Sequence, residues 1–303
     1  MSTYNGGKYL QEQIDSIFAN ELDGINVLLL VRDDGSTDNT LEILNNARIS
    51  GRAIKCIQGA NVYAAKSFML ALKEAPKADY YALADQDDIW LPEKLNEAIK
   101  YIKAHSNNTD SVMYFSNLTV CYDKKRIIKD KLLPDDVSKD YKDILTKCSW
   151  IFGCTMVFNY EMFKNIKEIN IPEKMPLMHD VWLGLLGQYF GILLYDSRSF
   201  ILYRQHDNNA VGAQLNLKNK WKHRLDMFRV GKEVSIAHRA EVMINVFNET
   251  NCNDLEMIKY TIMVRDYRKS FFNKIRFMLY DRPLKNGIKR GMLRIIMILL
   301  GRA

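Results

Sequence analysis

Three carboxylates fall within four residues in Leu83-Ala-Asp85-Gln-Asp87-Asp88-Ile-Trp-Leu-Pro-Glu93. The apolar run before them, Tyr80-Tyr-Ala-Leu-Ala84, reads as a buried strand. Ligands of open α/β sheets bind beyond the C-terminal ends of such strands. Carboxylates this close repel one another unless a cation lies between them or a pKa rises. A hard divalent cation with oxygen ligands is the usual remedy, and Mg²⁺ typically combines one or two carboxylates with substrate phosphates. A D-x-D at a strand end therefore suits a nucleoside diphosphate. The plainer alternative is a solvated acidic turn ahead of the helix that Pro92 opens. The apolar strand before it and Ile-Trp-Leu-Pro after it weigh against that alternative.

A second polar cluster, Arg32-Asp33-Asp34-Gly35-Ser36-Thr37-Asp38, follows another apolar run, Ile25 to Val31. An aspartate there can accept a hydrogen bond from a base N–H, and Ser36 or Thr37 can cap the next helix. The segment also has the composition of a simple strand-to-helix turn. Further along, Asp180 precedes Val-Trp-Leu-Gly-Leu-Leu and suits either a helix cap or a catalytic base. His179 beside it reads as structural. Lys66, in Asn61-Val-Tyr-Ala-Ala-Lys66, is within reach of a phosphate or is a solvated helix lysine.

The elements that must position these residues follow a β-α-β-α rhythm. An amphipathic helix carries Tyr9, Leu10, Ile14, Ile17 and Phe18. Strands are predicted at 25–31, 53–57 and 80–84, and helices from about 36, over 64–73 and from Pro92 to about 104. Val112 to Tyr122 and Ile192 to Tyr203 each give one or two strands, Thr155 to Phe158 another, and 181–190 a helix. This order implies an α/β fold with a mostly parallel sheet flanked by helices. Only about three residues remain at the start for the expected first strand, so we expect a few upstream residues to belong to it. From Lys218 the pattern becomes almost wholly helical.

The chain of 303 residues has 48% hydrophobic and 26% charged residues, ordinary for a folded protein. Its net charge of +7 is uneven. Residues 216–303 hold 19 Lys+Arg against 8 Asp+Glu, a balance of +11, which leaves −4 for residues 1–215. Two regions follow: an α/β domain over 1–215 and a helical, basic C-terminal region over 216–303. The tail suits an anionic surface. Leu284 to Leu300 mixes basic and apolar residues and is too short to span a bilayer, so it is expected to lie in the membrane interface. No aromatic and basic platform marks nucleic acid as a partner. Five cysteines without C-x-x-C spacing fit reduced thiols in a cytoplasmic protein.

Taken together, Ser2-Thr3-Tyr4-Asn5-Gly6, Asp33-Asp34-Gly35-Ser36-Thr37-Asp38 and Asp85-Gln86-Asp87-Asp88 resemble the ordered signatures of family 2 glycosyltransferases with the GT-A fold. Trp150-Ile-Phe-Gly153-Cys-Thr155, Met178-His179-Asp180-Val-Trp182 and Tyr203-Arg204-Gln205-His206-Asp-Asn-Asn209 resemble the rhamnosyltransferase-like branch that builds bacterial surface polysaccharides. The resemblance spans about residues 1–215. One departure is Tyr63, where such sequences usually carry glycine.

The resemblance implies a role for each matching position. Thr3, Tyr4 and Asp34 would hold the nucleobase. Asp85 and Asp87 would hold Mg²⁺ or Mn²⁺ and the donor diphosphate, with His206 completing the metal site or contacting the diphosphate. Arg204 would offset phosphate charge, as Lys66 would on the reading of its own position, and Asp180 would be the base of an inverting transfer. The donor it suggests is dTDP-L-rhamnose. The acceptor would be a lipid-linked glycan at the cytoplasmic face of the membrane, with the chain bound there peripherally. A transferase using a UDP-hexose or UDP-N-acetylhexosamine, or a non-catalytic nucleotide- or glycan-binding module of the same fold, are the alternatives.

Overall fold

The computed structural model describes residues 1–20, 24–124, 126–175, 178–206, 235–281 and 288–301. The chain forms two compact units.

The first unit opens with β1 (Ser2–Thr3), α1 (Leu10–Phe18), β2 (Leu29–Asp33), α2 (Thr40–Ile49) and β3 (Ile54–Gln58). Helical crossovers make these three strands parallel, in the order β1-β2-β3. The register pairs Thr3 with Asp33 and Asp33 with Gln58, so the three strands end level with one another. Helix α1 buries Leu10, Ile14 and Ile17 on one face. Each contributes about 2 kcal/mol by leaving water. They join Leu29, Val31, Leu44, Trp90, Leu118 and Ile201 in one core.

The chain continues through α3 (Tyr63–Lys73), β4 (Tyr80–Ala82), β5 (Ile89–Trp90), α4 (Lys94–His105), β6 (Val112–Asp123) and β7 (Arg126–Lys129). After α5 (Tyr141–Lys147) come a 3₁₀ turn at Gly153–Thr155, β8 (Val157–Asn159), α6 (Tyr160–Glu168), α7 (His179–Phe190) and β9 (Ile192–Arg204). The second sheet runs β4-β8-β6-β9-β5, with β7 on β6. The parallel arrangement expected from the sequence holds for β1 to β3 and for β6 with β9. The other pairs are antiparallel, so the second sheet is mixed. The short link from Asp123 to Arg126 leaves room only for an antiparallel return. Strands β6 and β9, each readable as one or two short strands, are single long ones with register shifts between Ser116 and Thr119.

Helices α8 (Ile236–Glu249), α9 (Leu255–Asp266), α10 (Phe271–Asp281) and α11 (Ile288–Leu299) build the second unit. Ser235 and Asp254 cap α8 and α9 by accepting N–H bonds from His238 and Met257. Helix α5 belongs to this unit although it lies far earlier in the chain. Its Tyr141 hydroxyl is 2.9 Å from Thr261 Oγ1. The boundary expected near residue 215 lies outside the described residues. Asp281 is buried between Arg294 and Lys147, at 3.1 and 3.6 Å. Phe271, Phe272, Leu279 and Tyr280 of α10 and Met292, Leu293 and Ile296 of α11 are exposed. Among the described residues no helix is long and apolar enough to cross a membrane.

Candidate active site

The loop after β1 and the loop after β2 lock together through the residues that the sequence singles out. Asp33 is 1% exposed and accepts bonds from Thr3 Oγ1 at 3.2 Å and from the backbone N–H of Ser36 at 3.0 Å. The Asn5 side chain accepts the Thr37 N–H at 2.8 Å. In return the Asn5 N–H donates to Ser36 Oγ at 2.9 Å. The N–H groups of Gly6 and Gly7 donate to Thr40 Oγ1 and Asp38 Oδ2, both at 2.9 Å.

Asp34, 2% exposed, points elsewhere. Arg32 forms an ion pair with it, and both its oxygens accept the Val62 N–H, at 3.1 and 3.0 Å. Arg32 also donates to Ser67 Oγ and to the Ala60 carbonyl. An ionised carboxylate has about four acceptor positions, so this clamp leaves Asp34 able to take a further donor. Lys66 stands in the first turn of α3, just past Val62.

The acidic loop after β4 is tied to this region by a reciprocal pair. Tyr4 N–H donates to Gln86 Oε1 at 2.9 Å, and Gln86 Nε2 donates to the Tyr4 carbonyl at 3.2 Å. Asp87 Oδ2 lies 2.9 Å from His206 Nε2. The His206 ring stacks on Tyr9 at 4.6 Å. Arg204 is buried beneath the loop. Its Nε donates to the Asp87 carbonyl at 2.9 Å, its backbone N–H donates to Asp88 at 3.2 Å, and its guanidinium pairs with Glu12. Arg204 thus meets the loop at the Asp87 carbonyl and the Asp88 carboxylate and ties it to Glu12 of α1, while His206 meets the Asp87 carboxylate.

Burial pushes the Asp85 carboxyl up to about 7, and the charges of Asp87 and Asp180 push it the same way. Burial also holds Asp88 well above the usual carboxylate range, with Asp85 and Asp87 adding to the rise. Asp180 is in the first turn of α7, whose N-cap position is Met178, so Asp180 is not the cap residue. Burial raises Asp180 to about 6, against the lowering effect of N–H bonds from Val181 and Gly153. His179 is buried, stacks on Phe68 at 3.8 Å, and is held down to about 3 by burial. It stays neutral, which agrees with a structural role. Gly153 makes room for this pair: a Cβ there would sit 2.4 Å from His179 Nε2 and 3.4 Å from Asp180 Cβ.

The structure therefore brings Asp85, Asp87, Asp180 and His206 into one electrostatic site, with Thr3 and Tyr4 joined to it through Asp33 and Gln86. Gln86, Tyr9, Glu12, Arg32 and Gly153 were not assigned roles from the sequence. Gln86 had a signal, since it lies inside the acidic motif. Arg32 had one too, as a cation closing an apolar strand.

Asp85, Asp87 and His206 suit a hard or borderline divalent cation. They offer carboxylate and imidazole donors, and burial, with the charges of Asp87 and Asp180 adding to it, raises Asp85, a penalty that a cation would offset. Among the described residues, the set whose donor atoms all come within 4.8 Å of one another is Asp85, Asp88 and Cys154. That set is the poorer one: burial keeps the Cys154 thiol protonated, and Asp88 receives the Arg204 N–H.

A family model described as Glycosyl transferase family 2 matches residues 1–167. The dTDP-rhamnosyl transferase RfbG of Shigella flexneri is 32% identical over 244 residues, covering 76% of this chain and 79% of that protein. The UDP-Glc:alpha-D-GlcNAc-diphosphoundecaprenol beta-1,3-glucosyltransferase WfaP of Escherichia coli is 26% identical over 249 residues, covering 81% of this chain and 88% of its own length. Among solved structures, S. aureus TarS 1-349 in complex with UDP-GlcNAc superposes with a TM-score of 0.58 at 19% identity. It covers 93% of this chain and 76% of TarS 1-349.

Proposed function

This chain belongs to glycosyl transferase family 2, and from that premise we propose that it transfers a sugar, with inversion, from a nucleotide-sugar to a hydroxyl of a surface glycan. The observation that carries the reading is the 3₁₀ turn Gly153–Thr155, where Gly153 packs against Asp180 and Cys154 comes within 4.8 Å of Asp85, so that a candidate base stands beside a candidate phosphate-binding loop. Asp180 takes the proton of the acceptor hydroxyl as that oxygen attacks C1 of the sugar. The bond from C1 to the diphosphate oxygen breaks on the opposite face, and the nucleoside diphosphate leaves.

Asp85, Asp87 and His206 would hold Mg²⁺ or Mn²⁺, which supplies positive charge to the departing diphosphate. Asp34, with Thr3 and Tyr4, holds the base of the donor. Lys66 would offset the charge of its phosphates, and Arg204 holds the Asp87 carbonyl of the acidic loop.

The donor we propose is dTDP-L-rhamnose, supported by the likeness to the Shigella protein over most of both chains. A UDP-sugar is the second reading, favoured by the likeness to the E. coli glucosyltransferase. The acceptor is a lipid-linked glycan at the cytoplasmic face. The exposed apolar side chains of α10 and α11, among the basic residues of the tail, support peripheral binding to anionic lipid.

A thermal-shift panel of dTDP-, UDP-, GDP- and CMP-sugars with and without Mg²⁺ or Mn²⁺ tests the reading, because a ligand bound to the native state raises its stability. Metal-dependent stabilisation by dTDP-rhamnose above the rest is expected. Preference for a UDP-sugar would replace the donor, and no shift with any nucleotide would overturn the enzymatic reading in favour of a non-catalytic module.

A further inference from the structure

Tyr63 combines two unfavourable features. Its φ of 64° lies in the left-handed region, which a bulky side chain enters at a conformational cost. The other non-glycine residues with positive φ among those described are Asn5 and Asn251, and asparagine tolerates that region. Tyr63 is also 83% exposed, the most exposed large apolar or aromatic side chain among the described residues. No burial of the ring offsets the backbone cost. Strain held without packing in return is a mark of functional sites.

The place of Tyr63 in the fold says what it faces. The preceding N–H, of Val62, clasps both oxygens of Asp34. Asn61 Oδ1 accepts the Tyr63 N–H at 3.1 Å and fixes the turn. Gly35, beside Asp34, abuts the same loop: a Cβ there would lie 3.4 Å from the Gly59 carbonyl oxygen and 3.7 Å from Asn61 N. The loop thus wraps Asp34 and ends in a phenol ring held out in solvent at its rim.

We propose that Tyr63 is a binding residue for the donor nucleobase, its ring stacking on the base whose N–H groups face Asp34. The proposal rests on the reading of Asp34 as the base-recognition residue. An aromatic face suits a planar base, and stacking of this kind weakens binding by about tenfold or more when the ring is removed. The left-handed turn goes with a ring left 83% exposed and free to take a planar ligand, so the strain becomes useful when the nucleotide binds.

The test uses the full chain with Tyr63→Gly and Tyr63→Phe, titrated by calorimetry with dTDP, UDP and pyrophosphate in Mg²⁺. Glycine suits the positive φ, so Tyr63→Gly should fold at least as stably as wild type, and lost affinity cannot then be lost folding. The expected result is about a tenfold weaker Kd for the nucleotide that wild type prefers, near wild-type affinity for Tyr63→Phe, and an unchanged response to pyrophosphate. Unchanged nucleotide affinity in Tyr63→Gly would overturn the stacking role and leave the Asp34 site standing. A wild-type protein that binds neither dTDP nor UDP would overturn both readings together.

Discussion

His206 Nε2 lies 2.9 Å from Asp87 Oδ2, joining the end of β9 to the acidic loop after β4. If the pair holds a cation with Asp85, Asp87→Ala should abolish Mg²⁺-dependent nucleotide binding. His206→Gln should weaken it by about tenfold or more. Calorimetric titration of nucleotide with and without metal measures both. Equal affinities in the two conditions for wild type would remove the metal role.

Asp180→Asn should lower turnover by about 10² to 10⁴ while leaving donor binding nearly intact. A base whose pKa is about 6 must be ionised to act, so kcat/KM in wild type should fall about tenfold per pH unit below 6 and level off above it. A profile flat from pH 5 to 8 would exclude Asp180 as the titrating base.

The same shift has a consequence for stability. The folded chain holds the Asp180 proton up to about pH 6, whereas a free aspartate loses it near ~3.9. Folding is therefore favoured by this group at low pH, and the contribution is lost as pH rises through about 6. Asp180→Asn should raise Tm at pH 8 and change it little at pH 4, as read by calorimetry.

How much of this was visible in the sequence differs by feature. The acidic loop and the turn after β2 were legible because an apolar strand ends just before each, although the composition of the turn after β2 equally suits a plain strand-to-helix turn. The α1 helix was legible from Leu10, Ile14 and Ile17. The union of Asp180 with Asp85 was not derivable from spacing, since it depends on α7 packing beside the 3₁₀ turn; it entered only through family resemblance. The service of Arg204 to the Asp87 carbonyl was hidden because a backbone acceptor leaves no mark on residue type. The mixed sheet was hidden because a short apolar run does not reveal its direction.

Gly153→Ala should act on the same site by displacing His179 and Asp180, since the new methyl would overlap the imidazole. A shift of about 1 Å in a reacting group can cost roughly a hundredfold, so turnover should drop at least tenfold with dTDP or UDP affinity kept. Wild-type turnover in this variant would show that the turn has slack.

For the membrane, Phe272→Glu and Leu279→Glu should each reduce co-flotation with vesicles containing anionic lipid by several-fold and leave soluble turnover unaltered. Removing residues 284–303 is a less clean probe, because it also takes Arg294 away from the buried Asp281. Undiminished flotation by both point variants would clear this face of the role.

Helix α5 meets its partners late. The Tyr141 hydroxyl waits for Thr261, 120 positions further on. At ~5 to 20 residues per second of synthesis, the wait is roughly 6 to 24 s. For most of it, until α8 emerges, Tyr141, Ile144 and Leu145, all buried in the finished fold, lack the helices of their own unit. The nascent chain thus carries a sticky intermediate that the ribosome must outrun or a chaperone must shield. Fragments ending before Thr261 inherit that state permanently, which makes aggregation their expected fate.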